Sequence, residues 1–171
     1  MGKIASLFHL RGIKRRISLF LVNHVLCGTG HFDVKRKLLN GIGIQIGSGT
    51  KVVGPIECTG NLMIGEKCWI GKDFKVNGNG TVTIGNNCDI GPEVIFQTGG
   101  HLIGDKERRA GEGCIFAQTV GNGTWIGGRS TILGHTDIGN GCVIAGCACV
   151  IRDVPDNSLW GGVPAKFIRE L

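Results

Sequence analysis

An all-β solenoid behind a helical arm is the fold class that the sequence predicts. Three observations predict it: a six-residue hydrophobic period, a high glycine content and a change of character near residue 43. The period places Ile46, Val52, Cys58, Ile64, Ile70 and Val76 in one frame. It resumes with Ile84, Ile90, Phe96 and Leu102, and again with Val120, Ile126, Ile132, Ile138, Ile144 and Val150. Fourteen of these sixteen positions are Ile, Leu or Val, types that make up about a quarter of the chain. Glycine fills 31 of 171 positions without the every-third-residue spacing of collagen, and only 4 residues are proline.

The repeat has a physical reading. Eight of the aliphatic positions are followed by glycine, and a small residue often stands two places before them: Thr50, Cys68, Cys88, Thr124, Ser130, Thr136, Cys142 and Ala148. On a strand, positions two apart share a face. The small and aliphatic pair therefore makes a short inward side, and glycine lets the chain turn. One hexad cannot bury a core, but stacked hexads can. The NGNG stretch at 77–80 adds two residues and shifts the frame.

Residues 1–43 form the arm. Five basic residues (Lys3, Arg11, Lys14, Arg15, Arg16) precede an apolar stretch, Ile17–Leu26, that is too short to span a bilayer and lacks an A-x-A cleavage site. One or two amphipathic helices are expected, packed on the main body or lying on a membrane face. Much of the formal charge of +6 sits here. The remainder is nearly balanced and lacks an aromatic-interleaved basic stripe, which argues against nucleic acid as a partner. The eight cysteines show no C-x-x-C and no zinc-finger spacing. Cys68, Cys88 and Cys142 fit the small inward slot, and a reduced cytoplasmic setting is the simpler account.

IGEKCWIG, IGNNCDIG, VGNGTWIG and IGNGCVIA resemble the hexapeptide repeats of left-handed parallel β-helix acyltransferases, and DVPDNSLWGGVPAKFIREL (153–171) resembles the ending of their maltose, galactoside and polysaccharide O-acetyltransferase branch. The likeness covers about 44–171. It implies a left-handed parallel β-helix with three hexads per turn, a short C-terminal helix, and a homotrimer with active sites between subunits.

The repeat is interrupted between Leu102 and Val120 by a polar, charged, glycine-bearing segment, read as a loop extruded at about 103–119. His101 stands at its start, and VTIGNNCDIGPEVIFQTGGH followed by a charged loop is similar to the segment that carries the family's catalytic histidine. A neutral imidazole suits the chemistry, since an alcohol needs to lose its proton as it attacks the thioester of acetyl-CoA. Backbone N–H groups at the glycine-rich turns are candidate oxyanion donors. Asp105 or Glu107 would orient the imidazole, and together with Arg108 and Arg109 they are the candidate acceptor contacts. Cys114, a conceivable nucleophile, lacks a recognisable base. In the galactoside branch an asparagine helps bind the acceptor; ungapped alignment back from His101 places Gly71 there, so that contact does not carry over.

The resemblance implies coenzyme contacts at Trp125, Gly128, Gly146, Arg152, Lys166 and Arg169, with the cations on phosphates. Trp160 either stacks on adenine or caps the prism. No metal is expected: His9, His24, His31, His101 and His135 show no close ligand spacing. The expected activity is acetyl-CoA-dependent O-acetylation of a sugar hydroxyl, in surface or capsular polysaccharide synthesis, in the cytoplasm or at the inner face of the membrane. N-acetylation of an amino sugar or nucleotide sugar is the alternative, as is a non-catalytic solenoid. An ice-binding ladder would need repeated Thr-x-Thr, and only TVT at 81–83 occurs.

Overall fold

The structure, a computed structural model, describes residues 2–171; Met1 and the side chains of residues 2–9 and Arg11 lie outside the described set, so nothing is added on Lys3, His9 or Arg11. Five coils follow the arm. They are β1 (Gln45–Ile46), β2 (Lys51–Val52) and β3 (Ile56–Cys58); β4 (Asn61–Ile64), β5 (Trp69–Ile70) and β6 (Phe74–Asn77); β7 (Thr81–Ile84), β8 (Asp89–Ile90) and β9 (Ile95–Gln97). A hairpin of β10 (Gly99–Ile103) and β11 (Ala110–Ile115) interrupts them. Then come β12 (Ala117–Val120), β13 (Trp125–Ile126) and β14 (Thr131–Leu133), and β15 (Thr136–Ile138), β16 (Val143–Ile144) and β17 (Cys149–Val150).

Each coil gives one strand to each of three parallel sheets, so the body is a three-sided prism. The first face runs β1-β4-β7-β12-β15, the second β2-β5-β8-β13-β16, and the third β3-β6-β9-β14-β17. Register is kept residue on residue: Ile46 on Ile64, Ile84, Val120 and Ile138 along the first face. The period is thus the inward column of each face. Fifteen of the sixteen repeat positions are buried; Leu102, the exception, is 57% exposed and lies on the hairpin, not on the prism. All eight of the small residues two places earlier are buried as well.

Glycine allows the coils to stack at the corner after the first face. A Cβ on Gly121 would stand 2.5 Å from the carbonyl carbon of Gly139 in the next coil, a spacing that side chains do not tolerate. Beside that column runs an amide ladder: the Asn86 side chain accepts from the Glu66 N–H, Asn122 from Asn86, Asn140 from Asn122, and Asp156 from Asn140. At the start of the second face, Thr50, Cys68, Cys88, Thr124 and Cys142 stack on one another; the Cys88 thiol donates to the Gly121 carbonyl and Cys142 to that of Pro155. Hydrogen bonding to Cys68 together with burial pushes the Cys88 thiol well up, and burial raises Cys58. These thiols act as compact core residues.

The arm caps the open end. It comprises α1 (Gly2–Phe20), a π-helical turn (Leu21–Val25) and α2 (Phe32–Asn40). The first coil would otherwise expose unpaired backbone on all three faces. Asn40 bonds both the N–H and the carbonyl of Ile46 on the first face, at 2.7 and 3.1 Å. Lys35, fully buried, donates to the carbonyls of Val53 and Gly28, at 2.9 and 2.7 Å, beside the second face. Asn23 bonds both the N–H and the carbonyl of Ile56 on the third face, at 2.9 Å each. Burial lowers the Lys35 pKa below its usual 10.5. The unfolded chain therefore holds that proton more tightly, and this residue's contribution to stability rises with pH on the approach to 10.5.

The opposite end departs from the expected short C-terminal helix. Residues 158–161 instead form β18 (Ser158–Gly161), which extends the second face parallel to β16, and β19 (Lys166–Glu170) folds back antiparallel on it. The edge of β16 offers unpaired backbone groups, and Gly162, at a φ of +97°, makes the return turn. Trp160 packs against the core with Phe167 on it edge-on, its indole N–H donating to the Ser158 hydroxyl, so it caps the prism.

Replacing Asn40 with Ala removes two bonds from an edge strand. The expected result is a loss of about 1–3 kcal/mol in urea unfolding, with more self-association by light scattering as the first face is uncovered.

Candidate active site

The hairpin leaves the prism at the corner between the third and first faces. Thr98, fully buried, anchors its root: the Thr98 N–H and hydroxyl both donate to the Asn77 carbonyl, and its own carbonyl accepts from the Phe116 N–H. The Phe116 carbonyl accepts from Thr81, and β12 then rejoins the first face in register with β7. Gln118, buried just beyond, donates to the carbonyls of Gln97, Ile132 and Gly134 and ties the coils on either side of the insertion. The excursion therefore occupies 99–115, and residues 117–120 belong to the prism.

His101 is the third residue of β10, exposed, within about 10 Å of the corner along the strand. Its Nδ1 lies 2.9 Å from the carbonyl oxygen of Gly111. A carbonyl only accepts, so Nδ1 carries the proton and donates, which leaves Nε2 unprotonated in the neutral ring. The orienting group is thus a backbone carbonyl on β11. Neither Asp105 nor Glu107 takes that part: Asp105 accepts from the N–H groups of Glu107 and Arg108 and shapes the hairpin tip, and Glu107 faces Lys106 at 3.5 Å. Arg108 is exposed, and Arg109 donates to the Gly104 carbonyl. Sequence reading missed Gly111, since only its backbone acts; the signal was the glycine itself, whose Cβ would stand 3.0 Å from the Leu102 carbonyl oxygen. Cys114 pairs with Gly100, whereas His101 pairs with Gly113. Strand alternation puts the thiol and the imidazole on opposite sides of the hairpin.

The coenzyme candidates fall elsewhere. Trp125 projects from the second face, in register with Asp89 and, one coil further, Trp69. These residues with Ile90 and Gly91 line a shallow groove of about 350 Å³. Gly128 and Gly146 turn the corner from the second face to the third, stacked on one another; a Cβ on Gly128 would stand 3.0 Å from the Pro92 carbonyl oxygen. Lys166 and Arg169 lie exposed on β19, which belongs to the second face. Arg152 does not join them: it is exposed after β17, on the corner that carries the hairpin. Gly71 lies in another glycine column, where a Cβ would stand 2.6 Å from Gly91, so no side chain fits there. Among the described residues no group of three or more His, Cys, Asp or Glu side chains is gathered as for a metal.

In a three-sided prism the corner between the third and first faces is opposite the second face. One chain therefore does not bring His101 to the Trp125 groove. The two halves meet only if a second copy supplies one of them.

Comparison with known proteins puts this geometry in context. No protein-family model matches the chain. The galactoside O-acetyltransferase of Escherichia coli is 35% identical over 111 residues, 65% of this chain and 55% of that protein. The crystal structure of a hexapeptide-repeat acetyltransferase from Vibrio cholerae, complexed with acetyl coenzyme A, superposes with a TM-score of 0.79 at 26% identity, over 100% of this chain and 92% of that one. The polysialic-acid-specific acetyltransferase NeuO gives 0.65 at 28% identity, over 74% and 61%. The chain spans between about a third and two thirds of the length of the curated relatives it matches.

Gly111→Ala should displace the carbonyl that holds His101. A fall in kcat of about 10- to 100-fold is expected, with KM for acetyl-CoA changed less than about threefold. In the parent protein, nitrogen NMR of the neutral imidazole should show His101 protonated at Nδ1; a proton at Nε2 would contradict the assignment.

Proposed function

We propose that the chain, similar in sequence and fold to hexapeptide-repeat acetyltransferases, transfers the acetyl group of acetyl-CoA directly to a hydroxyl of a sugar. The observation that carries this reading is the His101 imidazole, its Nδ1 proton committed to the Gly111 carbonyl and its Nε2 free to act as base. Nε2 takes the hydroxyl proton as the oxygen attacks the thioester carbon. Collapse of the tetrahedral intermediate breaks the C–S bond, and the imidazolium returns the proton to the departing thiolate. Binding both substrates in one site supplies much of the acceleration by positioning.

The coenzyme would lie along the second face of a neighbouring copy, with Trp125 along the pantetheine arm, Gly128 and Gly146 allowing close approach at the corner, and Lys166 and Arg169 on phosphates. Arg152, on the His101 corner, would reach the same phosphates from the other copy. A homotrimer of prisms, each corner facing the next second face, supplies three such clefts. This reading is supported by the opposed placement of His101 and Trp125 and by the resemblance to the coenzyme-bound Vibrio structure.

The acceptor is proposed to be a sugar of a surface or capsular polysaccharide. The support is the exposed hairpin tip, where the Arg108 and Arg109 cations suit an acidic saccharide with Asp105 and Glu107 shaping the rim, and the likeness to a polysialic-acid-specific enzyme. Use of acetyl-CoA would place the reaction in the cytoplasm.

Release of free coenzyme thiol, measured against sugars, acidic saccharides, nucleotide sugars, amino sugars and serine, tests the assignment. Acetylation of a saccharide hydroxyl is expected, and acetylation of amines alone would move the chemistry to N-acyl transfer. His101→Ala should lower kcat/KM by about 100-fold or more with unchanged unfolding; near-normal turnover would remove His101 from the reaction.

A further inference from the structure

Helix α1 turns an apolar stripe away from the body on which it packs. Ser18 and Val22 are buried and Arg15 and Leu19 half-buried against the solenoid, and the Arg15 guanidinium donates to the Cys58 carbonyl. Leu10, Ile13, Ile17 and Phe20 follow one another at intervals of three, four and three residues, which at 3.6 residues per turn sets them along the opposite side. They are 60%, 40%, 55% and 58% exposed. The stripe is about 15 Å long. Val25 continues it from the π-helical turn, and Lys14 and Arg16, both exposed, flank it.

The charge pattern selects the occupant. Residues 1–32 contain five Lys or Arg and no Asp or Glu, and the first carboxylate of the chain is Asp33. Stripe against stripe, a second copy would set Lys14 and Arg16 of both chains beside each other with no acid from either α1 to offset them. An anionic lipid surface offers acyl chains for the stripe and negative headgroups for its flanks. No described helix is long and apolar enough to cross a membrane, so the fit is to a helix lying in the interface.

We propose that α1 docks the protein on anionic membranes, with Leu10, Ile13, Ile17 and Phe20 among the upper acyl chains and Lys14 and Arg16 at the headgroups. The opposite side of α1 stays on the solenoid, so docking leaves the Asn23 and Asn40 caps in place. The proposal stands apart from the catalytic assignment, because none of these residues belongs to the His101 hairpin or the Trp125 groove.

Cosedimentation of the full-length protein with vesicles tests it. Vesicles of phosphatidylcholine with about 30% phosphatidylglycerol should carry the protein down, whereas pure phosphatidylcholine vesicles, or the mixed vesicles in about 0.5 M salt, should carry little. The double variants Ile17→Ser/Phe20→Ser and Lys14→Glu/Arg16→Glu should each bind at least about tenfold less, with unchanged circular dichroism, unchanged mass by sedimentation and unchanged thiol release with a soluble acceptor. Failure of the parent protein to bind the mixed vesicles would overturn the proposal. So would parental binding by either double variant. A smaller assembly for Ile17→Ser/Phe20→Ser would assign the stripe to a contact between copies and would equally overturn it.

Discussion

Every coil of this protein is obliged to repeat the backbone path of the coil below it at the spacing of a β-ladder. That constraint sets the sequence. Inward positions can be filled by any aliphatic side chain that suits the column, but the corners have almost no room. Gly47, Gly65, Gly85, Gly121 and Gly139 lie one above another because a single Cβ would meet the next coil's backbone. The amide ladder of Asn86, Asn122 and Asn140 and the thiol and hydroxyl stack from Thr50 to Cys142 satisfy backbone groups that the corners leave without ladder partners. A solenoid of this kind also has two open ends. Here one is closed by three polar side chains from the arm, one for each face, and the other by an antiparallel hairpin whose Trp160 packs against the core.

The same constraint explains where chemistry can be placed. A coil cannot bend to carry a catalytic group without breaking register with both neighbours, but a corner can emit a hairpin and resume the ladder. The excursion at 99–115 does so, with Thr98 and Phe116 clamping its root and Gln118 bridging the coils beside it. Two short antiparallel strands then hold an imidazole against a backbone carbonyl. The price is that the hairpin stands on one corner and the flat face with the Trp69 and Trp125 groove is opposite. Under the proposed reading, a functional cleft would form only between copies of the chain.

Much of this was legible in the residues. The six-residue period identified the inward columns, and the small residues two places earlier marked the corner stack, because both sets are forced by packing. Where the reading failed, a local pattern had competed with a tertiary one. Leu102 fits the period by number, but the chain had already left the prism at Gly99. The resemblance implies a short C-terminal helix, yet the open edge of β16 recruits β18, and β18 recruits β19. Asn23 lies within the apolar stretch Ile17–Leu26, and its part as the cap of the third face has no sequence signature. Asp105 and Glu107 were natural candidates to orient His101; a main-chain carbonyl does so, and main-chain groups leave no signature in side-chain types. The separation of His101 from the candidate coenzyme residues is likewise invisible until the faces are assigned.

The central claim, that the imidazole of one chain serves the coenzyme face of another, is tested most directly by subunit mixing. Two inactive variants, His101→Ala and Trp125→Glu, would be denatured together, refolded and assayed for acetyl-CoA-dependent thiol release. If the halves come from different chains, random assembly restores both to about one quarter of the clefts, and about a quarter of parental activity should return. If each chain carries a whole site, every cleft keeps one lesion; a mixture as inactive as its components would contradict the account.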